Sequence, residues 1–138
     1  MKKLVFIFVL AFTLQISAQS QVNWITDNTT AIQQASDQNK PILVYVTDNQ
    51  KTQASERLST FFSNGSFEKF NSKVVWLKLD ISDKQSYNVR LGIHYTKQTT
   101  APGLSLIDNN GNTVLTPLTN MTDENIMAFL TLMNDKLK

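Results

Sequence analysis

Alternating apolar and polar blocks along the chain predict a succession of strands and helices. Five short blocks are apolar, β-branched or alternating, as in strands: residues 22–25, 42–46, 74–80, 104–107 and 113–115. Four longer blocks repeat apolar residues every three or four positions, as on one face of a helix: residues 27–39, 52–62, 86–91 and 122–137. The predicted order is therefore β-α-β-α-β-α-β-β-α, in one α/β domain.

Glycine and proline set several of the predicted boundaries. Pro41 disfavours helix at the residue before it, so the first helix should end by Asn39. Gly65 fits a left-handed position after the second helix, and Gly92 is predicted to end the third helix. Residues 108–111 read Asp-Asn-Asn-Gly, which predicts a hairpin turn because Asn and Gly tolerate positive φ.

The first 18 residues have the pattern of a secretory signal peptide. Lys2 and Lys3 precede an apolar run over residues 4–14, which is too short to span a bilayer, and Ala18 suits cleavage. We therefore expect export to the periplasm or beyond, in a bacterial style, with a soluble chain from Gln19 and no membrane anchor after cleavage. The alternative is an N-terminal membrane anchor, which the shortness of the run disfavours. A lipid anchor would need a cysteine at the cleavage site, and the sequence contains none.

Composition excludes several functions for the remaining residues, 19–138. The length of this segment is sufficient for one domain. Without Lys2 and Lys3, the basic and acidic residues balance at 11 each, so no basic cluster indicates nucleic acid. The chain has no cysteine, so packing alone must stabilise it. The lone histidine, His94, is not accompanied by acids at ligand spacing, and we expect no metal and no cofactor.

The stretch 41–62 places a buried strand before the N-terminus of a helix, where backbone N–H groups and the helix dipole stabilise an anion. This stretch resembles the active-site segment of the thioredoxin superfamily, in which a CxxC motif begins the helix. The resemblance places Thr52 and Ser55 at the two cysteine positions. Tyr45 stands where many members carry a buried acid. Disulfide exchange is excluded, because it needs a thiolate and a second thiol.

Further matches to the thioredoxin superfamily lie outside the missing cysteines. Ala101 and Pro102 match the cis-proline that faces the CxxC loop, which implies a cis bond between them; an ordinary trans proline is the alternative. The resemblance implies a three-layer α/β/α sandwich with a mixed central sheet, of the thioredoxin-like type. The other matching residues are Trp24, Ala31, Ala35, Asn39, Lys40, Pro41 and Asp80.

In redox-active relatives, the end of the sheet beside the cis-proline binds an extended polypeptide. The resemblance therefore implies a redox-inactive domain that binds an unknown protein or peptide, with no catalytic residue. The implied groove consists of Asp48, Lys51, Thr52, Ser55, Ala101 and Pro102. Two alternatives remain: a glutathione-dependent transferase-like enzyme that uses Ser55 or Thr52, and a purely structural exported domain.

Each polar candidate also has an ordinary structural interpretation. Thr52 is a favoured N-cap, and Ser55 suits the first turn of a helix. His94 would serve as a base only beside an activated nucleophile, so a surface position is the simpler expectation. Three segments, beginning at Asn28, Asn64 and Asn120, match the N-glycosylation pattern, and we interpret them as chance matches in a chain rich in Asn and Thr.

Overall fold

The computed structural model of the protein describes residues 22–138. The predicted signal peptide, residues 1–18, lies outside the described residues. The helices and strands are α1 (Asn28–Gln38), β1 (Ile42–Thr47), α2 (Gln53–Ser63), β2 (Val75–Asp80), α3 (Tyr87–Thr96), β3 (Gly103–Ile107) and α4 (Asp123–Lys136), with a 3-10 turn at Glu68–Phe70. No helix within the described range is long and apolar enough to cross a membrane.

The three strands form a mixed sheet in the order β2-β1-β3. β1 is parallel to β2, with Val44 opposite Leu77, and antiparallel to β3, with Val44 opposite Ser105. Every residue of β1 is buried, which explains its unbroken apolar run. The mixed central sheet predicted from the resemblance is confirmed.

Helices cover both faces of this sheet, so the domain has three layers. One core combines the β1 residues Leu43 and Tyr45 with apolar residues of α2 and α4, among them Leu58 and Phe129. The other core combines the alternate β1 residues with α1 and α3; it includes Ala31, Ala35, Ile42, Val44, Val46 and Tyr95. The predicted α/β/α sandwich is therefore confirmed, and the period of two along β1 supplies both cores.

Polar side chains cap the N-terminus of each described helix, because the first N–H groups of a helix lack internal partners. Asp27, Thr52, Ser86 and Thr122 accept hydrogen bonds from backbone N–H groups of α1, α2, α3 and α4 respectively. α1 ends at Gln38, and Asn39 caps its C-terminus with a left-handed φ of 54°. The predicted boundaries of α1, α2 and α4 are thus confirmed within a residue or two.

The predicted first strand, residues 22–25, is reduced to a single bridge. Ile25 donates its N–H to Trp76 O at 2.8 Å and accepts from Lys78 N at 2.8 Å, pairing in parallel with Leu77. The expectation of a regular strand is wrong, because Asp27 starts α1 only two residues later and turns the chain away from the sheet.

The predicted last strand, residues 113–115, is also irregular. Thr113 pairs with Ile107 and Leu118 with Leu104, so β3 advances three residues while its neighbour advances five. The two extra residues lie between Thr113 and Leu118, in a stretch that contains Pro117, which has no N–H to donate to a ladder. The chain follows β3 antiparallel, as predicted, but does not continue as a regular strand.

Glycines at the turns differ in what they do. Gly65 and Gly111 have φ values of 87° and 88°, which confirms the left-handed positions predicted for them. Gly92, however, does not end α3, which continues to Thr96. A Cβ at Gly92 would lie 3.2 Å from Val46 Cγ1, so this glycine allows α3 to approach the sheet closely. The prediction of a helix end at Gly92 was wrong because close packing, rather than a turn, requires the glycine.

Candidate functional site

Three loops meet at one end of the sheet. β1 and β2 are parallel and end at the same edge, and the antiparallel β3 begins there. The loops after β1, after β2 and before β3 enclose a small pocket of about 170 Å³. Its lining consists of Asp48, Gln50, Ile81, Ser82, Lys84, Thr99 and Thr100. Ile81 is the single apolar member of this lining, so the pocket is chiefly polar.

The loop after β1 is fixed by hydrogen bonds to the end of β2. Asn49 has a φ of 64°, and its Nδ2 donates to Asp80 Oδ2 at 2.7 Å. Ser82 Oγ lies 2.7 Å from Asp48 O and 2.5 Å from Asp80 Oδ1. One wall of the pocket is therefore preorganised by side chains from two separate loops.

Asp80 is the electrostatic centre of this network. Hydrogen bonds from the Ser82 hydroxyl, first, and the Ser82 N–H, second, hold the pKa of Asp80 below its ordinary value of 3.8, with smaller contributions from Asn49 and the charge of Lys78. Asp80 is consequently ionised at neutral pH and acts as an acceptor that positions the two loops.

Thr52 and Ser55, at the positions of the absent cysteines, form a capping box at the start of α2. Ser55 N donates to Thr52 Oγ1 at 3.1 Å, while Thr52 N donates to Ser55 Oγ at 2.9 Å. Ser55 Oγ also lies 2.9 Å from its acceptor Gln50 O. The Ser55 hydroxyl therefore already has a donor and an acceptor, which favours the structural interpretation over a thiolate-binding or nucleophilic role.

The segment before β3 forms the opposite wall. The Ala101–Pro102 peptide bond is cis, as predicted. Gln98 Nε2 donates to Pro102 O at 3.1 Å, which holds the loop across this bond. Within residues 22–138, the backbone N–H and C=O groups of Thr99, Thr100 and Ala101 form no hydrogen bond with the rest of the chain. These groups adjoin the pocket, because Thr99 and Thr100 line it.

Of the residues predicted for the groove, Asp48 lines the pocket itself. Ala101 is half-buried and Pro102 is buried, immediately after the threonines of the opposite wall. Lys51 and Thr52 are exposed at the start of α2 and do not line the pocket. The remaining predicted residue, Ser55, also lies outside the lining and caps α2.

Six of the seven residues that line the pocket are absent from the predicted groove: Gln50, Ile81, Ser82, Lys84, Thr99 and Thr100. A usable signal existed for Ser82 and Lys84, since they follow a strand that should run parallel to β1 and end at the same edge. The position of Thr99 and Thr100 depends on where α3 ends, and the prediction of that end at Gly92 was wrong.

The other candidates take ordinary positions. His94 is exposed on α3, with its ring 5.2 Å from the ring of Tyr95. Tyr45 is 8% exposed and packs 5.5 Å from Trp24 and 5.3 Å from Phe62, measured between ring centroids. Across the described residues, no three His, Asp or Glu side chains lie close enough to hold a metal ion.

Two of the glycosylation-pattern asparagines have structural partners. Asn28 Oδ1 accepts a hydrogen bond from the Tyr95 hydroxyl at 2.9 Å, which joins α1 to α3. Asn64 Oδ1 accepts from Ser66 N at 3.0 Å in the turn after α2. Both side-chain oxygens have roles in packing or in a turn, and the interpretation of the pattern as a chance match stays a prediction.

Comparison with models of known protein families identifies the family of this chain. The model of the family described as the UBX7 N-terminal domain matches residues 21–134. The chain belongs to this family. A search of curated protein sequences finds no match.

Solved structures show the fold of this UBX7 N-terminal domain family member. It is similar to a DsbH oxidoreductase, with a TM-score of 0.69, 17% identity and coverage of 87% of each chain. It is also similar to a poplar thioredoxin h (TM-score 0.61, 14% identity, coverage of 84% of this chain and 98% of that one). A third similar structure is thioredoxin O1 from Arabidopsis thaliana, with a TM-score of 0.59, 16% identity and coverage of 86% of this chain and 100% of that one. At these identities the likeness shows the thioredoxin fold and nothing of the activity.

The thioredoxin fold is thus present in this family member without the thiols. The sequence contains no cysteine, and the positions expected for them carry the capping box of α2. The chain has no group with which to perform thiol–disulfide exchange.

Proposed function

We propose that this protein is an exported thioredoxin-fold domain that binds an extended segment of another protein without redox chemistry. One observation carries the proposal: the backbone groups of Thr99, Thr100 and Ala101 form no hydrogen bond with any residue of 22–138, and they adjoin the pocket that the three loops enclose. Export is supported by the pattern of residues 1–18.

Unbonded backbone groups suit an extended ligand. Backbone N–H and C=O groups in folded proteins are nearly always paired, with water when they are exposed. An extended peptide offers the same kinds of groups at regular spacing, and adding it beside a loop or strand edge replaces water with backbone hydrogen bonds. Thr99 and Thr100 are exposed, so a ligand reaches them without rearrangement of the core.

The size of the pocket also favours a peptide over a whole small molecule. About 170 Å³ is below the ~300–1,000 Å³ that is usual for small-molecule sites. A pocket of this volume accommodates one side chain, while the backbone of the ligand lies along the loop outside it. The polar lining selects a side chain that can form hydrogen bonds, to Asp48, Gln50 or a threonine hydroxyl.

The proposal can be tested with a displayed library of random decapeptides and the protein purified after export. Enrichment of a peptide family is expected. The blocking variant is Thr100→Arg, which adds a bulky charged side chain to the exposed wall of the pocket. The matched control is Gln38→Arg, which places the same side chain on the exposed end of α1. We expect binding of the selected peptides to be lost in the first variant and retained in the second.

Two results would contradict the proposal. If no peptide family is enriched, the purely structural interpretation stands. If selected peptides bind Thr100→Arg as well as they bind the unmodified protein, the site lies elsewhere. A glutathione-dependent activity that Ser55→Ala abolishes would instead revive the enzyme alternative.

A further inference from the structure

The outward face of α3 carries a row of four side chains. Tyr87, Arg90, His94 and Lys97 are spaced by three, four and three residues, so they lie on one face of the helix and its C-cap. All four are exposed, and Tyr87 is exposed by 66%. We call these four residues the α3 row.

The α3 row carries two cations, Arg90 and Lys97, within residues 19–138, whose basic and acidic residues balance at 11 each. Between residues 84 and 100 the sequence contains Lys84, Arg90 and Lys97 but no acid. The one ion pair found across the described residues joins Lys138 to Asp135, far from α3 in the sequence. Arg90 and Lys84 therefore have no anionic partner there, and Lys97 Nζ donates only to a carbonyl, His94 O, at 2.7 Å.

Both ends of the helix that carries the α3 row lie near the pocket. Lys84, just before α3, and Thr99, just after its C-cap, both line the pocket, so both ends of α3 approach the same site. No side chain of the α3 row lines the pocket itself, so a ligand segment reaches the row by continuing from the pocket along α3. The acids near the pocket are Asp48 after β1, Asp80 at the end of β2, and Asp83, which directly precedes Lys84.

We propose that the α3 row is the docking surface for an acidic, extended segment of the protein partner. The inference rests on the proposed function and names the class of that partner. From Tyr87 to Lys97 the helix rises ~15 Å, at ~1.5 Å per residue. An extended chain covers this length with about five residues, at ~3.3 Å per residue.

Spacing and charge together specify the segment further. Arg90 and Lys97, the two cations of the row, are separated by ~10.5 Å along the helix axis. Side chains on one side of an extended chain repeat every ~6.6 Å. Acidic residues at alternate positions therefore place a carboxylate within side-chain reach of each of these two cations. Asp48 disfavours an acid inside the pocket itself, so a neutral polar residue occupies the pocket and the acids lie over α3.

The test measures binding of labelled decapeptides by fluorescence anisotropy at low salt. The probes alternate Glu with Ser, Lys with Ser, or Gln with Ser. Only the Glu probe is expected to bind measurably, and it should weaken at high salt because exposed ion pairs are screened. Arg90→Gln and Lys97→Gln should each weaken this binding by roughly threefold, as expected for an exposed ion pair. The control is Lys73→Gln, which removes an exposed cation in the loop before β2 and should have no effect.

The outcomes separate this inference from the proposed function. Equal binding of the Glu and Gln probes, with loss in Thr100→Arg, would support the peptide site and overturn the acidic partner. Equal loss of Glu-probe binding in Lys73→Gln and Arg90→Gln would reduce the effect to net charge and overturn the inference. A failure of every peptide would overturn both proposals. If phosphatidylglycerol vesicles bind the protein through Arg90 and Lys97 and the Glu probe does not bind, the row is a membrane-binding surface and the inference is overturned.

Discussion

Ser105 gives the sharpest test of the core. It lies in the middle of β3 opposite Val44, it is fully buried, and its Oγ has no hydrogen-bond partner within the described part of the chain. A buried hydroxyl without a partner loses its interactions with water and gains nothing in return. We therefore expect that Ser105→Ala stabilises the protein, although most substitutions in a core destabilise.

The magnitude follows from two opposing contributions. Leaving a buried polar group unsatisfied costs about 1–3 kcal/mol, and Ser105→Ala removes that cost. Deleting one atom from a packed site loses contacts and leaves a small void, which offsets part of the gain. We expect a net increase of about 1 kcal/mol in the free energy of unfolding, which raises the melting temperature by about 4 °C for a domain of this size.

Ser55→Ala is the matched control, because it deletes the same atom where that atom is used. The Ser55 hydroxyl completes the capping box of α2, so its loss should lower the free energy of unfolding by about 1 kcal/mol. Urea unfolding followed by tryptophan fluorescence reports both variants. Trp24 and Trp76 pack against each other, with ring centroids 5.5 Å apart, and they are exposed together when the core opens.

The two variants should shift the urea midpoint in opposite directions with an unchanged slope. A lower midpoint for Ser105→Ala would refute the reasoning, since it would mean that the hydroxyl has a partner in solution. A changed slope would show that the substitution altered the compactness of one state, so that the midpoint no longer reports a single contact.

Three further predictions concern pH, packing and export. Ser82→Ala should destabilise the protein most above pH 3.8, where the Asp80 carboxylate is ionised and accepts the Ser82 hydrogen bonds. The difference in stability from the unmodified protein should shrink as pH falls through the lowered pKa of Asp80, because a protonated carboxyl gains less from these hydrogen bonds. Urea midpoints measured from pH 2 to pH 7 test this, and a difference that does not change with pH would contradict it. Gly92→Leu should lower the free energy of unfolding by about 2 kcal/mol or more, because the leucine side chain would clash with Val46 where α3 packs on the sheet. Gly92→Ala is the control with a smaller side chain. Equal thermal midpoints for the two variants would contradict close packing at this position. Residues 1–18 fused to a reporter enzyme that is active only after export should give activity, and a Leu10→Arg change within the leader should abolish it; equal activity of both fusions would argue against a signal peptide.

Local sequence patterns predicted most of the fold. The Thr52 cap and Ser55, three residues later, mark the start of α2, and the apolar run of β1 marks a strand buried on both faces. Gly65 and Gly111 lie in left-handed turns as predicted. These features depend on each residue and its near neighbours, so they can be recognised without knowledge of the rest of the chain.

The errors arose where distant parts of the chain decide a local outcome. Gly92 has the local signal of a helix end, but its role is set by Val46, which approaches from another element. Ile25 has the signal of a strand, but the start of α1 limits its pairing to one bridge.

The sequence by itself determined that this protein has no thiol with which to exchange disulfides, because it contains no cysteine. The resemblance of residues spaced along the chain to the thioredoxin superfamily implied the thioredoxin-like fold. The tertiary structure decided which residues surround the candidate site. Asp48, Ser82 and Thr99 are separated by many residues and meet only because two parallel strands end, and an antiparallel strand begins, at one edge of the sheet. Their proximity depends on strand order and on the path of α3 across the sheet, and a local sequence pattern predicts neither of these.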